Sequence, residues 1–357
     1  MIHLTQRFTV LPPSIFVHPC CLLPQQWYAT VFFPFHPTIF CFEINSCFLQ
    51  AGLKKRLYSS SDQLLPLASA EAERYNKVVY YIQEVFPIGY LYETHMHTCL
   101  ASACGKSTGK EHVRRYRDLG FTGIIITDHF FGGNCAVPRH LPWDEKIRLF
   151  CAGFEDAWEE GQKVGLDVFF GWEQGYGDDE YLVYGLDKQW LLDHPEIEKC
   201  SRARQLALVH EGGGAVIQAH PFRMRDYMTY IRLGLSFADG AEVANAGNRS
   251  VHDTYAYHYA QEFGLVMTAG SDNHDSSKIQ SQDDLFGVSL DAPLTSIQDY
   301  VQLIRSRGPI HLHVPDDRFS ADPNTSEQLH SFWIDSYEHL IPTRRLWINP
   351  FSPSDPE

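Results

Sequence analysis

Short apolar runs alternate with longer amphipathic stretches between about residues 88 and 275. The run GIIITDHF at 123–130 is almost wholly apolar, which is typical of a strand buried on both faces. The preceding stretch GKEHVRRYRDLG places Val113, Tyr116 and Leu119 on one stripe, and this predicts a helix that ends at Gly120. Seven strand-like runs occur, most of them separated by segments of helix length. This alternation predicts an α/β fold with a parallel sheet, either open or closed into a barrel.

The two ends of the chain differ in amino-acid composition from residues 88–275. Residues 1–42 contain no Asp or Glu, are rich in Phe and Pro, and show no helical or strand period. We therefore predict that residues 1–85 are an atypical extension, either disordered or the product of an over-extended gene start. Residues 86–315 would form the main domain. The Pro-rich, acidic residues 316–357 would be a flexible tail.

Composition narrows the classes of partner. The chain has 44 acidic and 29 basic residues and a formal charge of −15, which argues against nucleic-acid binding by bulk electrostatics. A small phosphorylated substrate remains compatible with this charge.

The most apolar stretch, WYATVFFPFHPTIFCF, is interrupted by Pro34, His36 and Pro37, so we expect no membrane association. Nine irregularly spaced cysteines with no Cys-x-x-Cys favour a reducing cytoplasm over a disulfide framework.

The sequence GKST at 105–108 is similar to the end of a phosphate-binding loop. Such a loop needs a glycine five residues before its Gly-Lys pair, and the chain has Leu100 there. No apolar strand leads into the segment either. We therefore predict that Lys106 and Ser107 are solvated loop residues that open the next helix.

The His-x-His pair eight residues earlier is more informative. His95 and His97 follow a strand-like run, and side chains two apart on a strand point to the same face. Two imidazoles on one face are suitable ligands for a transition metal. The motif is weak alone, because His311 and His313 repeat it in IHLHV. No pattern of partner ligands follows that second copy, so we interpret it as structural.

Potential metal ligands stand at the ends of five strand-like runs. In chain order they are His95 and His97, Asp128 and His129, Glu173, His220, and Asp272 with His274. A single histidine at such a position is more often a hydrogen-bonded loop residue. The carboxyl ends of strands in parallel α/β folds, however, are where sites are built, so the shared position favours one polynuclear metal centre.

The chain resembles the PHP family, the polymerase and histidinol phosphatase domain, over about residues 90–275. The similarity is carried by ETHMHT, GFTGIIITDHF, GWE, QAHPF, AEVANAG and AGSDNH, in the order of the family. It implies a distorted (β/α)7 TIM-like barrel that holds two to three divalent ions, commonly zinc, manganese or iron. It also implies hydrolysis of a phosphoester.

The same resemblance implies the ligand sets. His95, His97, Glu173 and Asp272 would hold a first metal, with Glu173 bridging to a second held also by His220. His129 and His274 would hold a third. The chain departs from the family pattern twice, with Ala103 and Cys104 where many members have a histidine, and with Asp187 after the fourth strand in place of another. We predict Asp187 as a ligand, and leave Cys104 open between a thiolate ligand and a small loop residue.

Other polar residues complete the predicted site. Asp128 is assigned to catalysis as a residue that orients a ligand histidine through its ring N–H. Arg223 and Arg249 follow strand ends and are predicted to bind substrate phosphate, although surface solubility would explain them equally well. Arg139 and His140 are candidates for a loop that covers the site.

These features predict a metal-dependent phosphoesterase that attacks a small phosphorylated substrate with a metal-activated hydroxide at a di- or trinuclear centre. Two alternatives remain at this stage. One is a metal-dependent hydrolase of a non-phosphate bond, which would lack phosphate-binding arginines. The other is a non-catalytic PHP module, in which eroded ligands would be expected. The substrate is not specified by the sequence.

Overall fold

The computed structural model describes residues 14–19, 27–32, 40–44, 89–177, 179–223, 230–321, 331–336 and 339–342. The chain divides into two compact units, Met1–Ile88 and Gly89–Glu357. In the first unit, strands β1 (Ser14–Pro19), β2 (Trp27–Phe32) and β3 (Phe40–Ile44) form an antiparallel sheet. The rest of the predicted extension lies outside the described residues, and the predicted domain boundaries stay a prediction.

Strands and helices alternate along most of the second unit. Its strands are β4 (Tyr90–Glu93), β5 (Gly123–Ile126), β6 (Asp167–Gly175), β7 (Glu180–Tyr184), β8 (Ala215–Ala219), β9 (Tyr230–Leu233), β10 (Gly240–Asn245), β11 (Val266–Gly270), β12 (Gly287–Leu290), β13 (His311–His313), β14 (Ser331–Ser336) and β15 (His339–Pro342). Its α-helices are α1 (Gly109–Asp118), α2 (Trp143–Phe150), α3 (Ala152–Val164), α4 (Lys188–Asp193), α5 (Arg202–Glu211), α6 (Ser250–Phe263) and α7 (Ile297–Ser306). Short 3-10 helices cover Pro195–Lys199, Ser276–Lys278 and Gln282–Asp284.

Nine of these strands form one sheet in the order β11-β10-β8-β7-β6-β5-β4-β12-β13. Strands β4, β5 and β6 are parallel, as are β8, β10 and β11. Strand β7 lies between the two groups and is antiparallel to both of its neighbours. Strand β12 is antiparallel to β4 and to β13.

The sheet curls until its two ends meet. Strand β11 contacts β12 and β13. Beyond the ends of β4 and β11, Met96 and Asn273 form a parallel bridge, in which the backbone N–H of His97 donates to the Asn273 carbonyl at 2.9 Å. The result is a nearly closed barrel, and this confirms the predicted distorted TIM-like α/β barrel.

The apolar core has an inner and an outer part. Inside the barrel, Tyr92, Leu182, Ile217 and other strand residues pack with Tyr300 from α7. Outside it, the remaining helices cover the strands, for example where α1 and α3 bury Val113 and Ala157 against β5. Strand β5 is buried along its whole length, as its apolar sequence predicts.

Two features of the structure differ from what the sequence patterns predict. The stretch from Glu145 to Gly165 has the pattern of one helix, but it forms α2 and α3 with a break at Cys151. Strand β7 was expected to run parallel to its neighbours, whereas it runs in the opposite direction. In the segment predicted to be a flexible tail, β14 pairs in parallel with β9 and antiparallel with β15.

The GKST segment opens a helix, as predicted. Thr108 caps α1, and the Glu111 carboxylate accepts a hydrogen bond from the Thr108 backbone N–H at 2.7 Å. Ser107, however, is buried and its hydroxyl bonds to that of Ser276 at 2.9 Å, so its predicted exposure to solvent is wrong. The segment therefore docks on the loop that carries Asp272 and His274.

Candidate metal centre

Four side chains converge at the point where β4, β6 and β11 end. The Nε2 atoms of His95 and His97 are 3.1 Å apart. His95 Nε2 is 3.3 Å from Glu173 Oε1, and Asp272 Oδ1 is 3.1 Å from His97 Nε2 and 3.5 Å from His95 Nε2. These separations match the ~3.4 Å edges of a tetrahedron of ligands at ~2.1 Å from one ion. Each of these pairs of donor atoms is therefore spaced as two ligands of a single metal would be.

The remaining predicted ligands extend this cluster on both sides of Glu173. His220 Nε2 is 3.1 Å from Glu173 Oε1, and His129 Nδ1 is 2.6 Å from Glu173 Oε2. The imidazole of His97 stacks on those of His129 and His274, with ring centroids 4.2 and 4.3 Å apart. Seven of the eight predicted metal ligands are thus brought together.

The contact between His129 and Glu173 is short, yet it is not a hydrogen bond. Both His129 Nδ1 and Glu173 Oε2 are buried without a hydrogen-bond partner in the described structure. With His129 protonated, the two atoms would form an ion pair; with His129 neutral, they are left without a partner, although buried polar atoms are normally satisfied. A cation between them would satisfy both, because neutral imidazole and carboxylate are each electron-pair donors.

Asp187 is the predicted ligand that does not join the cluster. Its side chain is exposed and caps α4, where it accepts a hydrogen bond from the Trp190 backbone N–H at 2.8 Å. Glu180 lies at the site instead, with Oε2 at 3.5 Å from His220 Nε2. The reason is the reversed direction of β7, which brings its first residue, and not its last, to the metal-bearing rim. The prediction of Asp187 as a ligand is corrected accordingly.

Hydrogen bonds fix which nitrogen of each histidine faces the cluster. The Nδ1 atom of His95 lies 2.9 Å from Glu242 Oε1, and that of His274 lies 2.8 Å from the Asp272 carbonyl. Both partners accept hydrogen bonds, so both Nδ1 atoms carry a proton and both Nε2 atoms face the cluster. Glu242 was not predicted, although a carboxylate within the otherwise apolar run AEVAN was a signal for it.

His97 is oriented through a hydroxyl. Ser102 Oγ donates to Asp128 Oδ1 at 2.7 Å, lies 3.1 Å from His97 Nδ1, and accepts from the His129 backbone N–H at 2.9 Å. Asp128 also accepts from the backbone N–H and hydroxyl of Thr98 at 2.6 and 2.7 Å. Asp128 was expected to contact a ligand histidine ring, and this is wrong, because Ser102 stands between them. Asp128 is a positioning residue in this structure.

A second buried carboxylate joins the two strands that meet at the barrel seam. Glu93 accepts from the backbone N–H groups of His95 at 3.0 Å and Ser271 at 2.9 Å, and from the Tyr116 hydroxyl at 2.8 Å. Burial raises the pKa of Glu93 to about 7, against the effect of these donors. Glu93 was also missed from the sequence. It holds the chain that carries His95 against the chain that carries Asp272.

Two carboxylates and one imidazole have protonation states that suit metal binding, whereas nearby carboxylates raise the pKa of His95 and His129 despite burial, so these two would give up a proton to a metal. Burial opposes the ionisation of Glu173 and Asp272. Nevertheless, His129 and His95 keep the pKa of Glu173 well below its usual value. Arg223 and His95 keep the pKa of Asp272 well below its usual value in the same way. Burial and the nearby His129 hold the pKa of His97 well below the usual value, so this imidazole is neutral. Anionic carboxylates and a neutral imidazole are the forms that coordinate a metal.

Two residues of the cluster have strained backbones. His220 has φ of 28° and Asp272 has φ of 52°, in a region that non-glycine residues seldom adopt. Among the described residues, Arg307 is the other non-glycine residue with positive φ, and it ends α7. Strain of this kind persists where the surrounding contacts dictate it, and it concentrates at functional sites.

The predicted phosphate-binding arginines differ from each other. Arg223 is largely buried and donates to Asp272 Oδ2 at 2.5 Å, Asn245 Oδ1 at 2.6 Å and Asn248 Oδ1 at 2.8 Å. Three of its five N–H groups are therefore already engaged by protein. Arg249 is exposed at the start of α6. Arg139 donates to the Gly133 carbonyl at 3.2 Å, and His140 is exposed. Substrate binding by any of them stays a prediction.

The second His-x-His motif lies away from this cluster. His311 is 59% exposed in its side chain and pairs with Asp291 at the surface, with His311 Nε2 3.0 Å from Asp291 Oδ1. This agrees with its interpretation as structural.

Among the described residues, no helix combines the length and the apolar character needed to cross a membrane.

Comparison with known proteins gives matches among solved structures alone. No protein-family model matches the chain, and no curated protein matches it. One similar structure is a two-domain protein from Bacteroides vulgatus that contains a predicted PHP-like metal-dependent phosphoesterase. It has a TM-score of 0.45 and 15% identity, and the match covers 64% of this chain and 65% of that one, slightly under two thirds. The second is an inferred metal-dependent phosphoesterase from Bifidobacterium adolescentis, with a TM-score of 0.38, 18% identity, and coverage of 61% and 96%. At these TM-scores neither structure assigns a role to any residue of this chain.

Proposed function

We propose that the chain is a metal-dependent phosphoesterase of the PHP type, acting on a small phosphorylated substrate at a centre of two to three divalent ions such as zinc, manganese or iron. One observation carries the proposal. Donor atoms of His95 and His97 lie 3.1 Å apart and within 3.1–3.5 Å of carboxylate oxygens of Glu173 and Asp272, where three strands end. Beside them, His129 Nδ1 and Glu173 Oε2 are buried without hydrogen bonds. Protein side chains alone leave this arrangement unsatisfied, and cations would complete it.

The residues fit two adjoining sites and the beginning of a third. His95, His97, Glu173 and Asp272 would hold the first ion. Glu173, His220 and Glu180 would hold the second, with Glu173 shared between them. His129 and His274 would contribute to the third.

Bound ions would supply Lewis acidity, which lowers the pKa of coordinated water to about 7 and neutralises charge on phosphoryl oxygens. Other side chains of the protein orient the ligand histidines. Glu242 and Ser102 keep protons on the Nδ1 atoms of His95 and His97, so that both Nε2 atoms face the cluster. The side chains of Glu180 and His274 are 33% and 27% exposed, so a small substrate would reach the cluster from their side. We further propose that Arg249 and the remaining N–H groups of Arg223 bind a phosphoryl oxygen.

We also propose a reducing cytoplasm as the compartment. The described cysteines, Cys99, Cys104, Cys135, Cys151 and Cys200, are all unpaired.

The test begins with the metal content of the full chain and its activity on a panel of phosphomonoesters and phosphodiesters. His95→Ala should lose metal and phosphate release together. His311→Ala is the matched control, since it removes a histidine from the same motif at the surface and should change neither. Metal-loaded protein that hydrolyses no phosphoester would contradict the phosphoesterase assignment and favour hydrolysis of another bond. Protein that binds no metal after reconstitution would contradict the whole proposal.

A further inference from the structure

The loop between β10 and α6 holds Arg223 in the position from which it contacts the metal cluster. The side-chain oxygens of Asn245 and Asn248 accept hydrogen bonds from Arg223 Nη2 and Nε at 2.6 and 2.8 Å. Arg223 Nη1 donates to Asp272 Oδ2 at 2.5 Å. The direction in which the guanidinium points therefore depends on where the loop places its two asparagines.

A buried carboxylate holds the far side of this loop. Asp253 lies in the first turn of α6 and is fully buried. It accepts hydrogen bonds from the Asn245 backbone N–H at 2.9 Å and from the Asn248 side-chain amide at 2.7 Å. A buried carboxylate is costly unless its charge is paired, so the loop needs a cation at this point.

Arg318 supplies that cation from a distant part of the chain. Its Nε donates to Asp253 Oδ2 at 2.7 Å, and its Nη2 donates to the backbone carbonyls of Asn245 at 2.9 Å and Asn248 at 2.8 Å. The Arg318 side chain is 12% exposed. One planar guanidinium thus bonds to the carboxylate and to both asparagines, a fork geometry that a lysine ammonium cannot reproduce.

Arg318 is anchored independently of the loop that it holds. Its guanidinium lies 4.7 Å from the centre of the Phe286 ring, and its backbone N–H donates to the Pro315 carbonyl at 3.0 Å. The next residue, Phe319, stacks on Tyr257 of α6 with ring centroids 4.5 Å apart. The segment that carries Arg318 is therefore a fixed support for the loop.

We propose that Arg318 is a positioning residue of the metal centre. It holds Asn245 and Asn248 in place, and through them it directs Arg223 toward Asp272. This inference rests on the proposed metal centre. It makes a residue beyond the last strand of the barrel sheet part of the machinery that prepares the first ion's site.

Zinc titration of the full chain, by calorimetry in competition with a chelator, tests the role. Arg318→Met should weaken binding of the first ion by roughly 2–30-fold, the range expected for a residue that acts through intervening contacts. Arg305→Met is the matched control. Arg305 also donates to two backbone carbonyls, those of Gly214 at 2.6 Å and His210 at 3.2 Å, but these lie at the end of β8 opposite His220. Its loss should leave zinc affinity unchanged.

A double-variant cycle shows whether Arg318 acts through Arg223. If it does, the chain with both Arg318→Met and Arg223→Ala should bind zinc within about twofold of Arg223→Ala alone. Losses of affinity that multiply would overturn the proposed path from Arg318 to Asp272.

Arg318→Lys provides a variant that keeps a positive charge beside Asp253. It should remain folded even where Arg318→Met does not, and urea denaturation would verify this. Because the ammonium cannot bond to Asp253 and both asparagine carbonyls together, zinc binding should still be weakened. Native zinc affinity in folded Arg318→Lys and Arg318→Met would overturn the positioning role.

The outcomes separate this inference from the proposed function. Zinc affinity that falls equally in the Arg305 and Arg318 variants would reduce Arg318 to a stabilising residue and leave the metal centre intact. A native chain that binds no zinc would contradict both. Weakened zinc binding in the Arg318 variants, without phosphoester turnover by the native chain, would contradict the phosphoesterase assignment while the positioning role stands.

Discussion

Asp272 divides its two carboxylate oxygens between the metal cluster and Arg223. Its Oδ1 lies 3.1 Å from His97 Nε2, and its Oδ2 accepts a hydrogen bond from Arg223 Nη1 at 2.5 Å. Arg223 is held in turn by Asn245 and Asn248. The arginine therefore sets the direction in which Asp272 offers its free oxygen.

Arg223→Ala should weaken binding of the first ion by roughly 10–100-fold, the range found when a residue that orients a metal ligand is removed. Metal titration by calorimetry in competition with a chelator would measure this. Arg249→Ala, at an exposed neighbouring position, should leave metal affinity unchanged. Equal metal affinity in the Arg223 variant and the native chain would refute the positioning role and return Arg223 to substrate binding alone.

Glu180 and Asp187 make a matched pair at the two ends of β7. Glu180→Ala should lose the second ion, because Glu180 faces His220 across that site. Asp187→Ala should keep every ion and instead lower the free energy of unfolding by about 0.5–2 kcal/mol, the usual cost of a lost helix N-cap. Metal content together with urea denaturation separates the two effects. Loss of an ion from the Asp187 variant would contradict the capping role of Asp187 and make this residue a ligand.

Gly153 lets α3 approach the hydrogen-bond cluster below His97. A Cβ atom there would stand 2.1 Å from Thr98 Oγ1 and 2.7 Å from Asp128 Oδ2. Glycine to alanine in a helix normally stabilises by about 1 kcal/mol, but here the overlap should dominate and destabilise by about 1–3 kcal/mol. Denaturant unfolding would measure it, with Glu159→Ala on the exposed face of α3 expected within about 0.5 kcal/mol of the native chain. A more stable Gly153→Ala chain would contradict the tight packing.

His112 predicts a pH dependence of stability. It is fully buried, with Nε2 3.1 Å from the His97 carbonyl oxygen, and burial lowers its pKa from 6.5 to about 4. Between these values the unfolded chain binds a proton that the folded chain does not. The contribution is thus present above pH 6.5 and is lost as pH falls through 4, by up to about 3 kcal/mol.

Urea unfolding at several pH values, with a chelator to exclude metal release, would measure this slope. His112→Gln keeps a donor for the His97 carbonyl and should flatten the curve between pH 6.5 and 4. His311→Gln at the surface should leave it unchanged. A slope that persists in the His112 variant would assign the acid sensitivity to other groups.

Much of this site could be predicted because its ligands follow apolar strands, and strand ends are visible in the order of residue types. This holds for His95, His97, His129, His220, Asp272 and His274, and Glu173 lies close to the end of its strand. Glu180 is an exception, since it is the first residue of its strand. The sequence nevertheless indicated that β6 and β7 run in opposite directions, because only four residues separate Gly175 from Glu180. That connection is too short for a parallel crossover and fits a hairpin.

The positioning residues were harder to predict for a different reason. Glu93, Ser102 and Glu242 each have a partner far away in the chain, at separations of 178, 26 and 147 positions respectively. Their side chains are ordinary in local sequence, and their roles arise only when the barrel closes. The break at Cys151 was hard to predict for the same reason. The sequences of α2 and α3 both have a helical pattern, and the break between them depends on how the two helices pack.

The barrel seam has a consequence for how the protein is made. The strand ends that carry His95 and Asp272 meet through bonds such as that between the Ser271 N–H and Glu93, which spans 178 positions. Contacts of such long range form late in folding. The metal centre therefore cannot exist on a growing chain until residue 274 has been synthesised and β11 has joined the sheet. Newly made chains should acquire their ions only after translation has passed the barrel, so metal supply would act on the finished domain and not on its nascent fragments.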